Sequence, residues 1–302
     1  MLRKAHLNLI AKHSLKHGIR GGAGLVSIAL TLLIGLFLAQ CAVGPLERVD
    51  KSVDYAADRT PGIDNDQRDH AKQRANEQIV KIAVKGMEMA MDPSPDQLEY
   101  LTEDKPAMVS VMLVLLFLAT PLFACLGGFN QTAGDIGSKG LRFLLFRTER
   151  ANIFWGRFFG TLGFTALVNL LLFGILTIYM VAKLNVHPKG DMAMWMMQGY
   201  LRMMIFTLPY LALCAWISSA MDSAFGSLAI SLLIAFFLPL FLGVAGSFED
   251  AVKYAQFATP WGWKYWLLEP LGAKFFGGLA AMFGFSALFL YLGHRNFTRR
   301  DL

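Results

Sequence analysis

The residues able to do chemistry are few in this sequence and poorly spaced for it. No GxxxxGK[ST] run occurs, so no loop of the chain cradles nucleotide phosphates in the P-loop manner. No HExxH or paired-histidine spacing offers a metal. Gly284-Phe285-Ser286-Ala287 matches the short GxSx string of some intramembrane proteases, but the only histidine close by, His294, lies at the end of the same apolar run. Met194, Met196, Met197, Met203 and Met204 are the densest group of the methionines. Thioethers suit Cu(I), yet no Cys or His joins them at helical spacing, and gap-filling in apolar packing is the preferred reading. Cys41, Cys125 and Cys214 lie in or at the ends of apolar runs without CxxC spacing and read as buried free thiols. His6, His13 and His17 share one helical stripe of a basic leader, where they decorate an interfacial helix rather than sense pH. The chain is expected to be no enzyme, with no catalytic residue, metal or cofactor of its own.

The elements around these residues are membrane helices. Only 17% of the 302 residues are charged, against roughly 25% in a soluble domain. The deficit lies in uncharged runs near the ~20 residues a helix needs to cross a bilayer. These predict spans at 22–43, 107–126, 158–182, 203–221, 225–247 and 275–293. Arg3, Lys4, Lys12, Lys16 and Arg20 precede the first span without an acid. Lys139, Arg142, Arg147, Arg150 and Arg157 follow the second, and Arg295, Arg299 and Arg300 follow the sixth. Six crossings put all three groups on one side, and the positive-inside rule makes that side the cytoplasm. The formal charge of +6 therefore belongs to membrane flanks, and nucleic acid is excluded as a partner. A cleaved signal peptide is the lesser reading of the start, because the leader 1–21 is long and Gln40 is bulky where a lipoprotein box wants a small residue.

Segment 44–106 then lies outside. From Glu47 to Lys105 it carries 14 acidic and 9 basic residues, too polar to enter lipid. Asp66–Met91 reads as a helix, and Ser94-Pro95-Asp96-Gln97 reads as a second start, with Ser as cap, Pro at the first position and Gln at the capping-box position. A small, mostly helical extracytoplasmic domain is predicted. Arg202 is expected to snorkel to the headgroups from the start of span four, with 192–200 lying along the interface. Segment 248–274 holds Pro260-Trp261-Gly262-Trp263-Lys264-Tyr265-Trp266, aromatic-belt chemistry with room for a re-entrant helical hairpin. The fold class is all-α: six transmembrane helices, an N-terminal amphipathic segment, a cytoplasmic coupling segment at 127–157, the outer hairpin and a cytoplasmic tail at 294–302.

The layout resembles type-2 ABC exporter permeases. The likeness is carried by the basic leader, the stretch Gly134-Asp135-Ile136-Gly137-Ser138-Lys139-Gly140-Leu141-Arg142-Phe143-Leu144-Leu145-Phe146-Arg147-Thr148-Glu149-Arg150, the entry Trp155-Gly156-Arg157, and the ending Arg295-Asn296-Phe297-Thr298-Arg299-Arg300-Asp301-Leu302. It departs from the family pattern in Ser138 for Thr, an inserted Lys139-Gly140, a turn without Pro, and Arg157 for Lys. The resemblance implies a permease in a bacterial inner membrane, paired with a second copy or a similar permease. ATP and Mg would bind a separate cytoplasmic ABC ATPase. Leu141, Leu144 and Leu145 form an apolar face at i, i+3, i+4, and Lys139, Arg142, Arg147, Glu149 and Arg150 supply charges, so this stretch would seat on the ATPase. The same analogy makes Pro260, Trp261, Trp263, Tyr265 and Trp266 an outer gate, and places Thr31, Gly35, Ser110, Thr120, Ser227 and Ser231 along the pathway between copies. Two other readings stand beside export. The fold would transmit force to an envelope partner through residues 47–105, or the chain would be a channel or secondary transporter, which the lack of intramembrane carboxylates disfavours.

Overall fold

A computed structural model describes residues 4–59, 65–91, 93–141, 145–184, 188–246 and 254–300. Among the described residues every regular element is helical. A leader helix Lys4–Arg20 is followed by Gly22–Arg59, Asn65–Met91, Pro95–Thr102, Ala107–Gly128, the short Ala133–Gly137, Arg150–Lys183, Lys189–Ala220, Ala224–Ala245 and Ala273–Arg299. Six of these are long and apolar enough to cross a membrane by length and composition. They are called spans one to six, beginning at Gly22, Ala107, Arg150, Lys189, Ala224 and Ala273.

The helices outrun the apolar windows. Span one continues to Arg59, because helix-forming residues follow the last apolar turn with only Pro45 to interrupt them. Span four is one helix from Lys189, so residues 192–200 belong to the crossing helix instead of lying apart from it. The helix expected from Asp66 begins at Asn65. Ser94 caps the next one, its Oγ accepting from the Gln97 amide, with Pro95 at the first position. Span five contains a π turn over Leu233–Phe237, just before Pro239. Proline lacks an amide hydrogen and its ring crowds the carbonyl four residues back, and a wider turn accommodates both faults.

The chain forms two compact units. In the unit built from Leu32–Leu116 and Leu172–Tyr200, span one lies against span three. A Cβ on Gly35 would meet Leu172 at 2.3 Å. Tyr179 donates to Gln40 at 2.6 Å, and Lys183 pairs with Glu47 at 2.7 Å. Trp195 is buried, donating to Ser110 at 3.0 Å and standing edge-on to Tyr100.

The other unit comprises Met1–Thr31, Phe117–Leu171 and Leu201–Leu302. Its core stacks Phe117 on Phe206 and sets Tyr210 edge-on to Phe206. Cys125 and Cys214 are buried there with sulfurs 3.9 Å apart. Cys41, in contrast to the expectation of burial, is exposed. The methionine group divides by helix face. Met196 and Met203 are buried and Met204 is half-buried, whereas Met194 and Met197 are exposed.

Candidate functional site

The stretch after span two is fastened to its surroundings by side-chain oxygens and cations. Where span two ends, the chain turns through Gln131 and Thr132. Gln131 donates to the Leu211 carbonyl at 3.1 Å. The amides of Thr132 and Ala133 both donate to Ser218 Oγ, at 2.8 and 2.9 Å. One hydroxyl of span four thus satisfies two of the amides that a helix N-terminus leaves open. Asp135 of the short helix pairs with Arg157 of span three. Gly137 lies so close to the Asp222 carbonyl that a Cβ would sit 2.1 Å from it. The helix then ends on Lys139, whose φ of 57° is left-handed.

The C-terminal residues close the same network. Arg150 donates to the carbonyls of Thr298 and Arg300. Arg300 in turn donates to the Ser219 carbonyl at 2.9 Å and pairs with Asp222. Phe154 packs against Phe297 and His294. Starts of helices, ends of helices and tail are therefore tied together in this one unit. Sequence reasoning missed Ser218, Ser219 and Asp222, which carry no motif. Their polarity at the end of an apolar run was the only available signal.

The residues expected to seat an ATPase divide into three sets. Lys139 and Arg147 are exposed, and their side chains make no polar contact among the described residues. Glu149 is exposed as well. Arg150 is occupied by the tail, and Leu141 is only 1% exposed, so both serve the chain's own packing. Leu145 is half-buried, and Arg142 and Leu144 lie outside the described residues. The apolar group that points outward is Phe146, 88% exposed. An i, i+3, i+4 stripe shows that an apolar face exists, and here the chain itself covers its first member.

Between spans five and six, residues 247–253 lie outside the described residues, so the expected hairpin is described only from Tyr254 onward. Pro260–Leu268 is a 3₁₀ helix of nine residues, long for a form that usually stops after ~4. Of the aromatic group, Pro260 and Trp261 are buried, while Trp263, Tyr265 and Trp266 are half-buried. Trp263 and Trp266 rings lie 4.7 Å apart, and Trp263 donates to the Phe257 carbonyl at 2.8 Å. Gly278 of span six admits Trp266 at a distance where a Cβ would be 3.0 Å away.

Two cations hold this segment. Arg202 does not snorkel to a surface: it is 6% exposed and donates to the carbonyls of Leu267 and Glu269 at 3.0 and 3.1 Å. Those carbonyls end the 3₁₀ helix and need a donor, and the guanidinium supplies it. Lys264 is 5% exposed. Its ammonium lies 4.0 Å from the Tyr265 ring centroid and 4.6 Å from that of Trp261, with a long 3.4 Å bond to the Trp261 carbonyl. Burial pushes its pKa down to about 7.

The small residues assigned to a pathway sit inside the chain's own helix packing. Thr31, Ser110, Thr120, Ser227 and Ser231 are all buried. Ser110 accepts from Trp195, and Ser227 donates to the Phe129 carbonyl at 2.7 Å. Gly35 lets span three approach. Small residues allow close backbone approach whichever helix is the neighbour, and here the neighbours belong to the same chain.

Residues 8–302 match the family described as ABC-2 family transporter protein. No curated protein matches the chain.

Proposed function

The chain belongs to the ABC-2 family of transporter proteins, and from that premise we propose that it is the permease subunit of an ATP-driven exporter, moved by a separate cytoplasmic ATPase and paired with a second permease. The supporting observation is the knitted junction with an outward tip. Phe146 and Arg147 project from a stretch tied to span three through Asp135–Arg157 and to span four through Ser218. A push on such a tip travels as rigid-body displacement, because ion pairs and buried hydrogen bonds resist shear within the unit. ATP and Mg bind the partner, and this chain supplies the lever.

The basic flanks support cytoplasmic termini, in a bacterial inner membrane. Exposed apolar faces on spans one and five are the surfaces offered to a second copy: Leu33 and Phe37 on span one, Phe237 and Phe241 on span five. The test is co-purification. The tagged chain taken from its native membranes should carry ATP-hydrolysing activity. Replacing Phe146→Ser together with Arg147→Glu should reduce that activity roughly tenfold, the size of losing an interface anchor, with the yield of inserted protein unchanged. Undiminished co-purification would refute the assignment of this tip.

A further inference from the structure

A second polar site lies where the leader helix meets spans one to three. A cavity of about 140 Å³ is walled by the glycine-rich turn Gly18–Gly24 and by Ser14, His17, Asn130, Arg157 and Thr161. The turn is tight: a Cβ on Gly24 would lie 1.5 Å from the Gly18 carbonyl, so no side chain fills that wall. No acidic residue lines the cavity, and none occurs in the chain before Glu47.

Several donors around it are unused. Arg157 commits a terminal nitrogen to Asp135, but its Nε is buried without a partner. The hydroxyls of Ser14 and Thr161 make no hydrogen bond among the described residues. A buried guanidinium N–H left open costs free energy unless an acceptor fills it. The open Nε–H of Arg157 beside two hydroxyls, with the Asp135 carboxylate held on another nitrogen of the guanidinium, suits a tetrahedral oxyanion. The surroundings favour one carried by lipid. Lys12, Lys16 and Arg20 are exposed on the leader, interleaved with exposed Leu9 and Ile19, and Leu25 and Val26 of span one are exposed just beyond the turn. Cations near the surface with apolar groups alongside match a headgroup and its chains.

We infer that this cavity binds a phosphate group, that of an anionic phospholipid headgroup, between the leader and the basic ends of spans one to three. The lipid would fasten the leader to the bundle, independently of any ATPase docked elsewhere.

The full-length protein in phosphatidylcholine nanodiscs, with a rising fraction of phosphatidylglycerol, tests this by native mass spectrometry of retained lipid. Wild type should retain phosphatidylglycerol over phosphatidylcholine. Arg157→Gln should weaken retention roughly tenfold, as expected for one charge-assisted bond. Because Arg157 also holds Asp135, the near-isosteric double variant Ser14→Ala, Thr161→Val keeps that pair and should still weaken retention several-fold. A parallel arm titrates inorganic phosphate into phosphatidylcholine discs. Binding there with the same variant losses, and no preference for phosphatidylglycerol, would uphold the oxyanion site but assign its source to free phosphate. Retention of phosphatidylglycerol equal to wild type in both variants would overturn the inference, placing the lipid on the leader's outer charges. Failure to hold either anion would overturn it too.

Discussion

Lys264 faces two aromatic rings and one distant carbonyl, and among the described residues no carboxylate pairs with it. Its folded pKa of about 7 lies below the ordinary 10.5 because burial strips water from the ammonium. Between those two values the unfolded chain holds the proton that the folded chain gives up. Stability of this segment therefore rises with pH through that window and is lowest below pH 7, where both states are charged. Thermal unfolding of the purified protein, followed by tryptophan fluorescence, should show a midpoint that climbs from pH 7 to 10. In Lys264→Met that part of the climb should vanish, and an unchanged profile would refute the buried-ammonium account. The sequence shows the aromatic run plainly, but not which way the lysine turns. Lys and Arg beside aromatic belts ordinarily reach for water, and the same expectation misread Arg202. Carbonyls at the end of the 3₁₀ helix hold Arg202 and aromatic ring faces hold Lys264, and no local pattern announces either.

Whole helices were more legible than their contacts. The apolar runs predicted six spans by length alone, and the capped helix at Ser94 was readable because Ser, Pro and Gln each answer a specific vacancy at a helix start. The partner of an apolar face was not readable, as Leu141 shows. Nor was the role of Gly156 and Gly160, four residues apart on span three. A Cβ on Gly156 would meet Ile10 at 2.8 Å, and one on Gly160 would meet Ser14 at 2.5 Å. The leader therefore lies on a strip of bare backbone, the close approach that small residues permit. Gly160→Leu should lift the leader off. Trypsin added to inverted vesicles should then cut at Lys12 and Lys16 severalfold faster than in wild type, while Gly174→Leu, on the same span with open space around it, should change nothing. Equal rates in both variants would mean that the leader is held by other contacts.

At the scale of the molecule, a lone chain leaves much apolar surface uncovered. Leu33 and Phe37 of span one are 64% and 66% exposed, and Phe241 of span five is 69% exposed. Lipid covers some of this, and a second permease covers the rest if export runs between copies. With the exposed Cys41 first changed to Ser, Leu33→Cys or Phe37→Cys should give crosslinked dimers in native membranes, whereas Leu172→Cys, fully buried, should not. Monomer alone from every exposed position on spans one and five would count against the two-permease pathway. Family membership was legible from the order of charges and apolar runs, since those encode topology.

The widened turn in span five has an evolutionary arithmetic. Leu238 donates to the carbonyl of Leu233, five residues back, so the stretch holds one amino acid more than a regular helix needs. Removing one codon within 233–237, with Pro239→Ala to restore the missing donor, would leave both flanks aimed as they are now. The same deletion in any uninterrupted span would swing everything beyond it by about 100°. Span five is thus the one membrane helix, among those described, with a slot where its length can change while its faces stay put.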